Sequence, residues 1–155
     1  MTSSKVRTIN CKVLRALGLT EAMLCHLDGD SVAPLLDYRC QGARAWRSSP
    51  IAERGIVPLW ECGMVLDYFN PANGCFERCS LENIDEVWCS YASLQGLLAE
   101  LFLSAYEDEV DDVALRACAS LFGFHSIQRL LAEAVNAGAS YKQWRAGFGA
   151  SCTDH

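Results

Sequence analysis

Nine cysteines and three histidines are the residues of this 155-residue chain that could do nucleophilic or metal chemistry. The histidines are His26, His125 and His155. A thiol enzyme would pair one cysteine with His26 or His125 as its general base. No local motif supports that pairing, and the sequence has no Gly-x-Ser-x-Gly elbow, no glycine-rich phosphate loop and no His-Glu-x-x-His motif. We therefore expect a protein that is not an enzyme.

Four cysteines within one short span raise the question of a structural zinc site: Cys62, Cys75, Cys79 and Cys89. Such sites usually use two close Cys-x-x-Cys pairs, whereas only Cys75 and Cys79 are close here. On a strand, these two side chains would project from the same face. The spacing favours reduced thiols that pack as small apolar side chains, and we expect neither a metal nor another cofactor.

A run of carboxylates at residues 107–112 is the third candidate for chemistry. It lacks the alternating ligands, the central glycine and the distal glutamate of a calcium-binding loop. Two interpretations stay open. In the first, the carboxylates are solvated and stabilise the N-terminus of the helix that follows. In the second, they form a cluster that attracts a basic protein.

The charge of the chain is concentrated in its middle third. Residues 55–115 hold twelve carboxylates and a single basic residue, Arg78, while both flanking segments carry a small net positive charge. This distribution argues against nucleic acid as a partner, because phosphate binding needs a basic stripe. The candidate partner-binding residues are Glu82, Asp85, Glu86, Glu107, Asp108, Glu109, Asp111, Asp112 and, in a polar loop, Trp46. Trp60 and Trp88 lie in apolar contexts and are predicted to be core residues.

No segment predicts a membrane span or a secretory leader. The longest nearly uncharged apolar stretch, residues 87–99, is shorter than the roughly 18–20 residues that cross a bilayer. The first residues are basic but have no apolar run of signal-peptide length. We expect a cytoplasmic protein, and the sequence gives no indication of its oligomeric state.

The elements predicted to position these residues form a single α+β domain over residues 1–155, with loose ends at 1–9 and 147–155. A helix is predicted over 11–26, with Thr20 as an alternative cap for a second short helix. A short helix at 32–38 and a loop at 44–55 follow. Strands at 56–60, 64–69 and 75–81 predict a small, mostly antiparallel sheet. Helices are predicted at 91–105, 113–122 and 127–135, with a last helical turn at 141–144.

The order of these elements resembles the SUKH superfamily, whose bacterial members are often immunity proteins that bind and neutralise a toxin. Four segments carry the resemblance: the helix start at 17–21, with Thr20 where a proline is more usual, the strand running into glycine at 56–63, the hairpin at 68–76 and the helix at 91–98. The resemblance implies an α+β domain that recognises a protein, and it carries over no catalytic residues.

Charge and resemblance together predict a non-catalytic binding protein, an immunity protein that occludes a basic cognate toxin with its acidic surface. A small-ligand or regulatory adaptor is the first alternative and would show a deep apolar pocket. A thiol enzyme is the second, and it would need His26 or His125 within hydrogen-bond reach of an accessible cysteine.

Overall fold

A computed structural model of the chain describes residues 10–43 and 54–154. Its helices are α1 (Cys11–Ala16), α2 (Glu21–Cys25), α3 (Leu94–Glu107), α4 (Asp112–Phe122), α5 (Ile127–Ala137) and α6 (Tyr141–Ser151), with a π-helical turn at His26–Asp30 and 3-10 turns at Pro34–Leu36 and Gly138–Ser140. Its strands are β1 (Gln41–Gly42), β2 (Val57–Cys62), β3 (Val65–Asn70), β4 (Cys75–Ser80) and β5 (Asn83–Tyr91). The architecture is α+β, as predicted.

The strands form one antiparallel sheet in the chain order β1-β2-β3-β4-β5. The three predicted strands correspond to β2, β3 and β4. Arg78 stands opposite Asp67 and Phe76 opposite Phe69, and these side chains form the face that packs on α3, which we call the helix face. The opposite face carries Cys75, Glu77 and Cys79, so the predicted alternation along β4 is confirmed.

The prediction failed at β5, which was not expected to be a strand. Its hydrophobic pattern is irregular because its pairing with β4 is irregular. Arg78 stands opposite Cys89 but Cys79 opposite Val87, which leaves Trp88 as an extra, bulged residue. Trp88 was predicted to be a core residue, but at this edge strand it is 52% exposed. Trp60 is fully buried, as predicted.

Helix boundaries follow the capping residues. The N-terminal helix is divided, as the alternative cap predicted: Gly18 has a φ of +103°, and the Thr20 hydroxyl accepts a hydrogen bond from the Met23 amide. Helix α4 begins where the Asp111 carboxylate accepts a hydrogen bond from the Ala114 amide, and it ends at Gly123 in a left-handed conformation. Helices α3, α4 and α5 confirm the predicted C-terminal helices.

The end of the chain is more ordered than predicted. Residues 147–155 were expected to be loose, yet α6 continues to Ser151, and Phe148 and Cys152 are buried. Its two interior glycines, Gly147 and Gly149, make the segment a poor helix former. Tertiary packing overrides this preference, because Gly149 lies against the ring of Tyr91. The segments 1–9 and 44–53, and with them Trp46, lie outside the described residues.

Within the described ranges, no helix combines the length and apolarity that a bilayer crossing requires.

Candidate partner-binding surface

Two hairpin turns meet at one end of the sheet. The β2–β3 turn contains Gly63 and Met64, and the β4–β5 turn contains Leu81 and Glu82. The Leu81 amide donates a hydrogen bond of 2.7 Å to the Met64 carbonyl, which joins the two turns directly. We call this region the hairpin end.

The segment before β1 covers part of the hairpin end. Gly63 has a φ of +58°, and a Cβ built on it would lie 3.2 Å from the hydroxyl oxygen of Tyr38. Tyr38 therefore reaches over the β2–β3 turn. Tyr38 and Met64 are 64% and 53% exposed, so two large apolar side chains are open to solvent here, and Leu35, three residues before Tyr38, is 49% exposed. A cluster of exposed aromatic, methionine and leucine side chains is typical of a protein-binding surface.

Carboxylates border this apolar centre from both parts of the predicted acidic region. Glu82 follows Leu81 in the β4–β5 turn, and the elbow between α3 and α4 is brought in by an ion pair between Arg39 and Asp108. Since Arg39 directly follows Tyr38, this ion pair ties the elbow to the segment that carries Tyr38, while Glu82 lies in the turn that is joined to Met64. We call this apolar centre with its acidic border the hairpin-end surface.

The other predicted acidic residues extend from it along two elements. Asp85 and Glu86 lie on the edge strand β5. Four carboxylates of the elbow line an open cavity of about 680 Å³, together with Tyr106 and Tyr141: Glu107, Glu109, Asp111 and Asp112. All eight predicted carboxylates are exposed.

The surface is less negative than its sequence suggests. Arg54 pairs with Asp85, Arg39 with Asp108 and Arg145 with Glu107. All three arginines come from outside the acidic segment. Among the described residues, no cation pairs with the remaining five candidates: Glu82, Glu86, Glu109, Asp111 and Asp112. Within the part of the chain that the structure describes, these five carboxylates carry the charge that no ion pair compensates.

A chain of alternating charges holds the elbow against the sheet. Asp67 on β3 pairs with Arg78, Arg78 lies 3.7 Å from Glu100 on α3, and Glu100 also pairs with Arg145 on α6 at 3.1 Å. Arg145 in turn binds Glu107 at the start of the elbow. Burial raises the pKa of Asp67, and the guanidinium of Arg78 opposes this shift. The chain gives the last turn of α3 a fixed position relative to the sheet.

The cysteines are poorly placed for the chemistry considered above. Cys75 and Cys79 project from one face of the sheet, whereas Cys62, opposite Val65, and Cys89, opposite Arg78, project from the other. The sheet therefore separates the four candidate zinc ligands into two pairs. Within the described residues, no group of three or more His, Cys, Asp and Glu side chains could hold a metal ion.

Nucleophilic thiols need a lowered pKa, but burial raises the pKa of Cys40, Cys62, Cys118 and Cys152, and raises that of Cys79 and Cys89 to about 11. His26 is buried, and its Nδ1 accepts a hydrogen bond from the Ala33 amide at 3.2 Å. Cys40 and His26 border one cavity of about 260 Å³. Cys40 is nonetheless buried, and burial, together with the charges of Asp67 and Cys62, raises its pKa well above the ordinary thiol value.

A cavity of about 310 Å³ lies on the second face of the sheet. Glu77 is buried in its wall and accepts hydrogen bonds from the Tyr68 hydroxyl at 2.7 Å and the Asn73 amide at 2.6 Å. Arg54 and Asp85 form its rim. A charged, open cavity of this kind differs from the deep apolar pocket that a small-ligand adaptor would show.

The sequence predicted the acidic border of the surface but missed its apolar centre. Leu35, Tyr38 and Met64 were not among the candidates. The adjacent leucines 35 and 36 were a possible signal for one of these residues. They lie in a 3-10 turn that begins at Pro34, where two successive side chains cannot both face the core. Leu36 is buried, and Leu35 is therefore exposed.

Comparison with family models, with curated proteins and with solved structures finds no match to this chain.

Proposed function

We propose that this protein is a non-catalytic binding protein that inhibits a basic partner protein by steric occlusion. The observation that carries the proposal is the hairpin-end surface, where Tyr38 and Met64 are exposed and the adjoining turn carries Glu82, for which the described residues offer no cationic partner. Exposed aromatic and methionine side chains supply close contact, and carboxylates without a bound arginine supply long-range attraction. No chemistry on the partner is required.

The resemblance to the SUKH superfamily makes a bacterial toxin the first partner to test. In this proposal the protein is the immunity partner of a cognate toxin with a basic surface. The neighbouring gene supplies the candidate toxin. Co-expression of the two genes should rescue growth that the candidate toxin alone abolishes. If no adjacent gene product is toxic or binds the protein, the immunity role is wrong.

Long-range attraction can be tested with the ion-paired carboxylates left intact. Glu82, Glu109 and Asp112 are exposed and outside the arginine pairs, so their change to lysine should disturb the fold little. In stopped-flow binding at low salt, the triple variant should associate with the partner at least ten-fold more slowly. The control is the single reversal Asp154→Lys, at an exposed carboxylate that is neither a candidate residue nor ion-paired among the described residues, and it should leave the rate almost unchanged. Equal rates for the triple variant and the unaltered protein would exclude electrostatic steering.

A further inference from the structure

Two cysteines, Cys40 and Cys62, lie at the same end of the short ladder between β1 and β2. Gln41 stands opposite Glu61 and Gly42 opposite Trp60. Cys40 precedes β1 and Cys62 ends β2, so a continuation of the same antiparallel register by one step would place these two residues opposite each other. Residues opposite each other in an antiparallel pair have Cα atoms about 4.5–5.5 Å apart. This separation falls within the range of about 4.4–6.8 Å that a disulfide requires.

The two thiols also lie on the same side of the sheet. Cys62 stands opposite Val65, two residues from Asp67, and so projects from the helix face. Cys40 lies two residues before Gly42, which is opposite Trp60 on that same face. The electrostatics agree with this placement. The buried carboxylate of Asp67 raises the pKa of both thiols, and Cys62 itself raises the pKa of Cys40.

We propose that Cys40 and Cys62 form a reversible cross-strand disulfide under oxidising conditions. Both thiols are free in the structure described here. No other described cysteine has this arrangement across a ladder. Cys79 stands opposite Leu66, Cys89 opposite Arg78, and Cys75 opposite Asn70. Cys75 and Cys79 share a face but are four residues apart on one strand, which is about 13 Å and too far for a bond.

Exposure sets the order of the two exchange steps. Cys62 is partly exposed and Cys40 is buried, so an oxidant reaches Cys62 first. Burial raises the pKa of Cys62, and Arg39 and Arg78 oppose this shift only in part, so we expect the exchange to be slow near neutral pH. With a small disulfide such as oxidised glutathione as the oxidant, the Cys62 thiolate attacks one sulfur and releases one glutathione thiol. The Cys40 thiolate then attacks the Cys62 sulfur and releases the second. One disulfide is broken and one is formed, and the two protein protons end on two glutathione molecules.

The disulfide would tie together the two parts of the hairpin-end surface. Cys40 follows Tyr38 and Arg39, while Cys62 precedes Gly63 and Met64. An effect on partner affinity rests on the proposed function, but formation of the bond does not. Failure to detect the disulfide would therefore leave the proposed function untouched, and loss of the proposed function would leave the disulfide untouched.

Tryptic peptide mapping tests the bond directly in the unaltered protein. Reduced protein is equilibrated with oxidised glutathione, free thiols are blocked with N-ethylmaleimide, and the digest is analysed by mass spectrometry. Trypsin releases Cys40 in the peptide 40–44 and Cys62 in the peptide 55–78. We expect these two peptides as one linked species that dithiothreitol separates.

Two variants assign the bond, because the peptide 55–78 also contains Cys75. Cys62→Ser should abolish the linked species, and the matched control Cys75→Ser should preserve it. Peptide 40–44 recovered only as its N-ethylmaleimide adduct or as a glutathione mixed disulfide would overturn the proposal. A linked species that survives in Cys62→Ser would overturn it equally.

Discussion

Arg78 on β4 and Asp67 on β3 stand opposite each other and share two hydrogen bonds, with Nε 2.7 Å from Oδ1 and Nη2 3.0 Å from Oδ2. Asp67 is only 2% exposed, so its charge has almost no contact with water. The pair therefore compensates a carboxylate whose isolated burial would cost several kcal/mol. Through Glu100, the same arginine also connects the sheet to α3.

Removal of Arg78 should be strongly destabilising. In Arg78→Ala, the buried Asp67 loses its partner, and the free energy of unfolding should fall by about 3–5 kcal/mol in urea denaturation. The matched control is Arg116→Ala, because Arg116 is an exposed arginine on α4, and its loss should change stability by no more than about 0.5 kcal/mol. Equal effects in the two variants would show that the pair does not stabilise the fold.

The loss in Arg78→Ala should also depend on pH. Burial alone raises the pKa of Asp67, and without Arg78 that pKa rises further. A group whose folded pKa exceeds its unfolded value favours folding at low pH and disfavours it as pH rises. The deficit of Arg78→Ala should therefore be smaller near pH 4.5 than at pH 8. A deficit that is constant over this range would show that Asp67 is not the group left unpaired.

Two glycines in α6 provide a matched pair for testing the packing of Tyr91. A Cβ on Gly149 would lie 2.7 Å from the ring of Tyr91, whose hydroxyl is fixed by a 2.6 Å hydrogen bond to Glu100. Gly149→Ala should therefore cost about 1–3 kcal/mol of stability. A Cβ on Gly147 meets no atom within 4 Å, so Gly147→Ala should be neutral or stabilise the helix by up to about 1 kcal/mol. Equal melting temperatures would contradict the close packing.

Local sequence patterns predicted most of the helices and strands correctly. They failed where contacts between distant parts of the chain determine the structure. Strands β2 to β4 and helices α3 to α5 have clear periodicity and capping residues. Strand β5 was missed because its bulges disrupt the alternation of apolar and polar residues. The length of α6 was underestimated because Gly147 and Gly149 disfavour a helix. The ring of Tyr91 leaves no room for a side chain at Gly149, and the sequence alone does not show this contact.

The candidate surface, too, was predicted from the sequence only where a local pattern was sufficient. Charge counting along the sequence identified the acidic segment, but it cannot reveal which carboxylates meet arginines from distant segments. Arg54, Arg39 and Arg145 each neutralise one of them. The apolar centre depends on a turn that places Tyr38 over Gly63, a contact between residues 25 positions apart for which the sequence has no local signal.

Tyr38 should contribute more to partner binding than to folding, if the proposed function is right. Its side chain is largely exposed at the centre of the hairpin-end surface. We expect Tyr38→Ala to weaken the complex by about 2 kcal/mol or more, which is roughly 30-fold in Kd, with a change in stability below about 1 kcal/mol. Isothermal titration calorimetry and urea denaturation measure the two effects. The control is Val135→Ala, which removes an equally exposed apolar side chain from α5 and should leave Kd unchanged.

His26 should make the protein less stable in mild acid. Burial lowers the pKa of His26, and Asp37, at 3.8 Å, opposes this shift only in part. Nδ1 accepts a hydrogen bond from the Ala33 amide, which requires the nitrogen to be unprotonated. Below the ordinary histidine pKa of about 6.5, the unfolded chain takes up a proton that the folded chain resists. The free energy of unfolding should therefore decrease as pH falls below 6.5, by up to about 1.4 kcal/mol per pH unit from this group.

The variant His26→Gln isolates this contribution, because glutamine does not titrate and its side-chain oxygen can still accept from the Ala33 amide. Urea denaturation between pH 5 and pH 8 should show a shallower decrease for His26→Gln than for the unaltered protein. His125→Gln is the matched control, since His125 is exposed and its removal should leave the slope unchanged. If His26→Gln and His125→Gln give the same pH dependence, the buried imidazole is not the group that couples folding to protons, and the carboxylates must account for the acid sensitivity.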